Sequence, residues 1–160
     1  MALDPTELRR VMGHFATGVT VVTAVDAELG QPYGLTANAV ASVSLKPPLV
    51  LACVEAESDT HPRIRAAGAF AISVLAADQE TLARRFAELE AAEKFRGVGY
   101  REEVTGAPVL EDALAWVDCR VWAEYPGGDH TIFVGEVVAG DARVGAPLIF
   151  FRGGYGRFRP

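Results

Sequence analysis

Apolar positions along this chain fall into two spacings, and the switch between them marks out its elements. Leu8, Val11, Met12 and Phe15 stand at i, i+3, i+4 and i+7, the spacing of one helical stripe. Asp4-Pro5-Thr6-Glu7 supplies the start of that helix: an N-cap Asp, Pro at the first helical position, and Glu three residues on to close a capping box. Gly18 then releases the chain into Val19-Thr20-Val21-Val22-Thr23-Ala24-Val25, where β-branched residues favour a strand. Glu28-Leu29-Gly30-Gln31-Pro32 reads as a turn, so this strand is expected to pair antiparallel with the next apolar stretch.

That stretch, Gly34 to Val54, organises the rest. Pro47-Pro48 cannot sit inside a central strand, because proline lacks the ladder N–H, so it marks a turn between two extended arms. On the first arm Thr36, Asn38, Ser42 and Ser44 share one parity and are expected to point to one face. A face of neutral donors and acceptors meets either water or a polar ligand. The second arm, Leu49 to Val54, is continuously apolar and is expected to be buried on both faces.

Beyond Val54 the chain turns polar through Glu55-Ala56-Glu57-Ser58-Asp59-Thr60-His61-Pro62. A short helix from Pro62 to Ala67 should then end at Gly68. Phe70 to Leu75 reads as a strand, and Asp78 as the cap of a helix with Leu82, Phe86 and Leu89 on one face and Arg84, Arg85 and Glu88 on the other. Residues 91–107 lack periodicity and read as an irregular loop. Leu114 to Tyr125 and Thr131 to Ala139 read as strands around a Pro126-Gly127-Gly128-Asp129-His130 hairpin turn, and Leu148 to Phe151 as a last strand. Many short strands, few helices and hairpin-length connections give a mainly β fold, an antiparallel barrel with peripheral helices.

Length adds that 160 residues form one domain, residues 1–160. A net charge of -6 with no basic stripe argues against a nucleic-acid partner. The amino terminus has no basic region followed by an apolar one, and no apolar run reaches membrane-spanning length, so a soluble, cytoplasmic protein is expected. Cys53 and Cys119 lie in strand-like contexts without metal-ligand spacing and read as buried, reduced thiols. Phosphate-loop, nucleophile-elbow and metal-helix motifs are absent. His14, His61 and His130 lack partners at ligand offsets, so no metal site is expected. His130, at a glycine-rich turn, is either a solvated side chain or a group that meets a ligand.

Three blocks occur together in one order: Phe15-Ala16-Thr17-Gly18-Val19-Thr20-Val21-Val22-Thr23, then Gly34-Leu35-Thr36-Ala37-Asn38 with Ser42-Val43-Ser44-Leu45 before Pro47-Pro48, then Gly128-Asp129-His130. In this the chain resembles the flavin reductase family, and within it the short reductase components of two-component flavin-dependent monooxygenases. The resemblance runs from about Leu8 to Phe158. It implies an FMN-binding type of antiparallel Greek-key split β-barrel, a homodimer, that passes hydride from NADH or NADPH to FMN or FAD. The reduced flavin would then serve a partner monooxygenase. Flavin and nicotinamide would carry the reacting atoms, so no catalytic side chain is expected.

By the same resemblance, Gly34, Leu35, Thr36, Ala37 and Asn38 would contact the flavin, with Ser42 and Val43 beside it and Cys53 and Val54 lining the adjoining wall. Ser58 and Thr60 would meet the ribityl chain or phosphate, Lys94 and Phe95 would lie near the outer end, and His130 and Tyr155 would meet the nicotinamide. Glu55, Glu57 and Asp59 depart from the family, because carboxylates repel a phosphate. Arg63 or Arg65, or the free N–H groups of the following helix, are the expected compensation. Two other readings stand beside this one: an oxidase with resident FMN, of the pyridoxamine-phosphate-oxidase-like type, and a flavin-binding barrel without activity.

Overall fold

The computed structural model describes residues 1–159. Helix α1 (Pro5–Met12) starts as its cap requires, with Asp4 Oδ1 accepting the Thr6 N–H at 2.8 Å. The capping box is only half made, because Glu7 pairs with Arg10 at 2.9 Å instead of reaching back. The apolar stripe forms but faces outward, and Leu8, Val11, Met12 and Phe15 are all exposed.

After β1 (Thr17–Gly18), strand β2 (Thr20–Val25) pairs antiparallel with β3 (Pro32–Ala37). The stretch from Gly34 to Val54 is then three strands rather than two arms. The chain leaves β3 at Asn38-Ala39, re-enters as β4 (Val40–Leu45), and returns across a cis Lys46–Pro47 peptide as β5 (Pro48–Glu55). A bulge between Ser42 and Ser44 shifts the β4–β5 register. The break and the bulge defeat the expected shared face: Thr36 lies on one strand, and Ser42 and Ser44 lie on another. Nor is β5 buried on both sides, since only Ala52 and Val54 are fully enclosed and Leu49, Val50, Leu51 and Cys53 are half-buried.

Helix α2 (Thr60–Ala67) starts earlier than Pro62, because the Ser58 hydroxyl accepts the His61 N–H and opens the turn. It ends as expected at Gly68, whose φ of 64° suits glycine. Strand β6 (Ala69–Val74) follows. Helix α3 (Glu80–Glu88) is preceded by Gln79 and not capped by Asp78; Gln79 Oε1 accepts the Ala76 N–H at 2.8 Å and fixes the approach.

Residues 91–107 are more ordered than their pattern suggests. They contain α4 (Ala91–Lys94) and β7 (Tyr100–Glu102), which pairs with β8 (Pro108–Leu110). Arg85, expected on the outer face of α3, instead donates to the carbonyls of Lys94 at 2.7 Å, Glu93 at 2.8 Å and Arg96. Buried Asp118 similarly accepts the N–H groups of Val104 and Thr105, both at 2.8 Å.

The long hairpin of β9 (Ala115–Gly127) and β10 (His130–Ala142) matches its turn signal. A second hairpin, β11 (Leu148–Phe151) and β12 (Gly154–Arg157), lies in the glycine-rich carboxyl-terminal stretch and joins β1 in a three-stranded sheet. Its two turn residues, Arg152 and Gly153, both have positive φ (51° and 76°). Arginine there costs about 1–2 kcal/mol relative to a glycine that would adopt the same turn freely.

The main sheet is antiparallel, in the order β3-β2-β6-β9-β10-β5-β4. Its two end strands, β3 and β4, are joined by Asn38-Ala39 alone. Such a link spans only about 10 Å, so the sheet must bend until its ends are neighbours. Val22, Val54, Phe70, Ile72 and Phe133 fill one side of this wall, and Val21, Leu75, Phe86, Leu110 and Leu148 pack on the other, under α3. Cys119 is buried as expected, but Cys53 is only half-buried. Among the described residues no helix is long and apolar enough to cross a membrane.

Candidate functional site

Strand β3 is an edge strand, so half its peptide groups find no partner in the sheet. Helix α3 covers it closely. A Cβ on Gly34 would lie 2.9 Å from Phe86 Cε1, which explains why glycine stands there, and the Thr36 hydroxyl donates to the Ala83 carbonyl at 2.6 Å. Lys94 Nζ donates to the Gly34 carbonyl at 3.0 Å.

Where β3 ends, the chain leaves a cleft of about 200 Å³ lined by Val19, Thr36, Ala37, Asn38, Ala87, Phe150 and Tyr155. Phe150 and Tyr155 lean on each other at 5.5 Å between ring centres. The structure thus brings Tyr155 together with Thr36, Ala37 and Asn38. Val19, Ala87 and Phe150 are lining residues that the pattern of the chain had not singled out. Beside the cleft, Thr17 pairs with Phe150 in the β1–β11 ladder, and its hydroxyl is buried without a hydrogen-bond partner among the described residues. An orphaned buried hydroxyl is costly unless something else completes it.

The other candidates lie elsewhere on the wall. Ser42 and Val43 are exposed on β4. Leu35 packs against the interior cluster, where Val54 is fully buried and leaves no exposed surface for a ligand. Burial raises the Cys53 thiol above its ordinary range, and pushes Cys119 up to about 12. Ser58 donates to the Glu55 carbonyl at 2.8 Å, and Thr60 is buried at the first turn of α2. Phe95 packs edge-on against Phe86, 4.9 Å away, and Tyr100.

His130 opens β10 opposite Glu55, and its Nδ1 lies 2.7 Å from Asp129 Oδ1. That hydrogen bond, with a smaller contribution from Arg9, holds the Asp129 carboxyl below its ordinary range. His61, in contrast, is a core side chain: it is buried, bonded to the Thr131 hydroxyl at 2.8 Å, tilted on Phe133, and held below the usual imidazole range by that burial.

Of the two expected cations, Arg63 reaches the acidic loop, donating to the Asp59 carbonyl at 3.1 Å, and Arg65 points elsewhere. Arg63 pairs with Asp26 at 3.4 Å and stacks on Tyr33, and Arg65 pairs with Glu124 at 3.0 Å. Lys94 also lies near Asp59, and its ammonium is held below the ordinary lysine range by burial, with Asp59 and Glu90 opposing the shift.

Residues 12–159 match the family model for the flavin reductase like domain. The chain belongs to that family. A curated relative in Rhodococcus opacus, the reductase component of 4-nitrophenol 4-monooxygenase/4-nitrocatechol 2-monooxygenase, is 47% identical over 99% of this chain and 83% of its own. The NADH-dependent FAD reductase of Streptomyces globisporus is 45% identical over 98% of this chain and 87% of its own. The solved structure of the Streptomyces globisporus NADH:FAD oxidoreductase SgcE6 superposes with a TM-score of 0.91 at 43% identity, covering 100% of this chain and 98% of that one. The same oxidoreductase is also solved in complex with NAD and FAD fragments.

The residues of this flavin reductase family member fit such a ring system. The cleft combines neutral hydrogen-bonding groups and an aromatic wall, with one partly buried lysine behind β3.

Proposed function

We propose that the protein is an NADH-dependent flavin reductase that hands reduced FMN or FAD to a separate monooxygenase, and that it works as a split-barrel homodimer. The observation that carries this reading is the neutral, aromatic-walled cleft at the end of β3, in a chain whose near relatives are named as such reductases. When bound, flavin supplies the acceptor for the single hydride that a dihydronicotinamide gives up, chemistry that no side chain here provides.

The chain's part is to bind and to orient. Thr36, Ala37 and Asn38 present neutral groups along an edge that α3 holds rigid. Phe150 and Tyr155 exclude water from one side, and Lys94 offers the nearby positive charge. Holding two rings in reacting contact is an effect of proximity, which needs a stiff wall more than an acid or a base. His130, buttressed by Asp129, is positioned to meet the nicotinamide half. His130→Ala should raise the KM for NADH about tenfold while leaving flavin affinity within twofold; unchanged NADH kinetics would remove that role.

Arg63 and Arg65 are both engaged, and Glu55, Glu57 and Asp59 remain exposed around Ser58. A flavin held permanently by its phosphate fits this loop poorly, and a flavin that binds and leaves fits it well. This favours the reductase over a resident-FMN oxidase. The homodimer is supported by unpartnered apolar side chains: Leu8, Val11, Met12 and Phe15 on α1, Val43 and Leu45 on β4, and Trp122 and Tyr125 on β9.

The deciding experiment measures NADH oxidation with and without added FMN and FAD. Turnover should require added flavin. Oxidation of another substrate by yellow protein without added flavin, or no turnover at all, would overturn the proposal.

A further inference from the structure

Helix α1 carries its charges toward the body of the protein and its apolar stripe away from it. Its inward face and the β11–β12 turn enclose a cleft of about 450 Å³ lined by Thr6, Arg9, Arg10, His14, Arg152 and Gly153. The two walls are tied together: the Arg152 N–H donates to the Gly13 carbonyl at 2.8 Å, and a Cβ on Gly13 would lie 3.4 Å from Arg152 Cα.

Three guanidiniums and an imidazole therefore share one concavity in a chain of net charge -6. Two carboxylates offset them, Glu7, which is paired with Arg10, and Asp129, which feels Arg9 without an ion pair. The Arg9 and Arg152 side chains make no hydrogen bond or ion pair of 4 Å or less among the described residues. His14 Nδ1 donates to the Arg10 carbonyl, which fixes the ring at the cleft's edge. Arg152 also occupies a turn position, φ 51°, that glycine or asparagine would fill with less strain. Like charges gathered in this way repel each other unless an anion joins them.

We propose that this cleft binds the pyrophosphate of a dinucleotide substrate. Guanidinium forks suit phosphate oxygens, and the cleft is concave enough to surround them. Arg9 also contributes, as the smallest of several causes, to holding the Asp129 carboxyl down, so the field of the cleft reaches the turn that carries His130. A dinucleotide whose nicotinamide meets His130 would carry its pyrophosphate one ribose away, where these cations could take it. This last step rests on the reductase reading. NADH and FAD both carry a pyrophosphate, whereas FMN carries a single phosphate and serves as the control.

The test is Arg152→Gly, which removes the guanidinium while relieving the turn, so the fold should melt no earlier than the wild type. With FMN as acceptor, the KM for NADH should rise about tenfold with kcat within twofold if the nicotinamide dinucleotide occupies the cleft. If the KM rises for FAD but not for NADH or FMN, the flavin dinucleotide is the occupant. Unchanged KM values for NADH and FAD would overturn the proposal. Calorimetric titration with inorganic pyrophosphate decides the cleft independently of any turnover: binding to wild type and its loss in Arg152→Gly support it, and no binding to wild type defeats it. Absence of flavin reduction by the wild type would instead count against the reductase reading alone.

Discussion

The two end strands of the main sheet, β3 and β4, are joined by Asn38-Ala39 and yet are finished in opposite ways. Strand β3 is roofed by α3: Phe86 sits on Gly34, the Thr36 hydroxyl is bonded to Ala83, and Lys94 takes the Gly34 carbonyl. Strand β4 has no roof. Ala41, Ser42, Val43 and Leu45 are exposed, and a bulge twists the strand between Ser42 and Ser44. An edge strand left bare with apolar side chains invites pairing with another surface. The β3 end of the cleft is thus closed within one chain, whereas the bare side chains of β4 are those that a second copy would cover in the proposed homodimer.

The largest effect should separate the two strands directly. Gly34→Val drives a branched side chain into Phe86 and should lower unfolding free energy by about 2–3 kcal/mol in urea titration, whereas Ser42→Val on the bare strand should stay within about 0.5 kcal/mol. Equal losses would show that β4 is as closely packed as β3. Next, Leu45→Asp should shift sedimentation from dimer to monomer at micromolar protein, with far-ultraviolet circular dichroism unchanged. A dimer that persists would mean that the bare strand is not part of the interface.

A smaller change, Thr36→Val, removes one hydrogen bond under α3 and should cost about 1 kcal/mol of stability together with a few-fold rise in flavin KM. The smallest effect is a pH trend at Lys94. Burial lowers its pKa below the ordinary 10.5, so its charge is lost at a lower pH than usual. Flavin affinity should fall as pH rises through that window. Stability should rise across the same window, because there the unfolded chain binds the proton that the folded chain gives up. Lys94→Arg should move the loss of affinity to higher pH, and a profile identical in both proteins would exclude Lys94 from the phosphate.

How much of this was legible in the chain depends on the range of each cause. The β2–β3 pair, the end of α2 at Gly68 and the β9–β10 turn follow from adjacent residues, and all appear in the structure. The family motifs were legible too, and with them Thr36, Ala37 and Asn38. What was hidden arises from distant contacts. The order in residues 91–107 comes from Arg85 and Asp118, which reach across the fold to backbone groups. The shared parity from Thr36 to Ser44 failed because one break and one bulge can each reset a period-two pattern. The apolar stripe of α1 was read correctly as a stripe, but its direction depends on Gly13 and Arg152 meeting at its end. Phe150 and Thr17 carried no local signal beyond strand propensity.

The link at Asn38-Ala39 also decides where the wall can breathe. The two end strands are joined by covalent bonds where no β3–β4 ladder joins them, and besides those bonds the Cys53 N–H holds the Ala39 carbonyl at 2.9 Å. Opening at this seam breaks fewer backbone hydrogen bonds than opening between paired strands. Amide protons on the free side of β3 should therefore exchange with solvent sooner than those of β2 or β6, and a bound ligand at the seam should slow them, turning an edge strand into a reporter of occupancy.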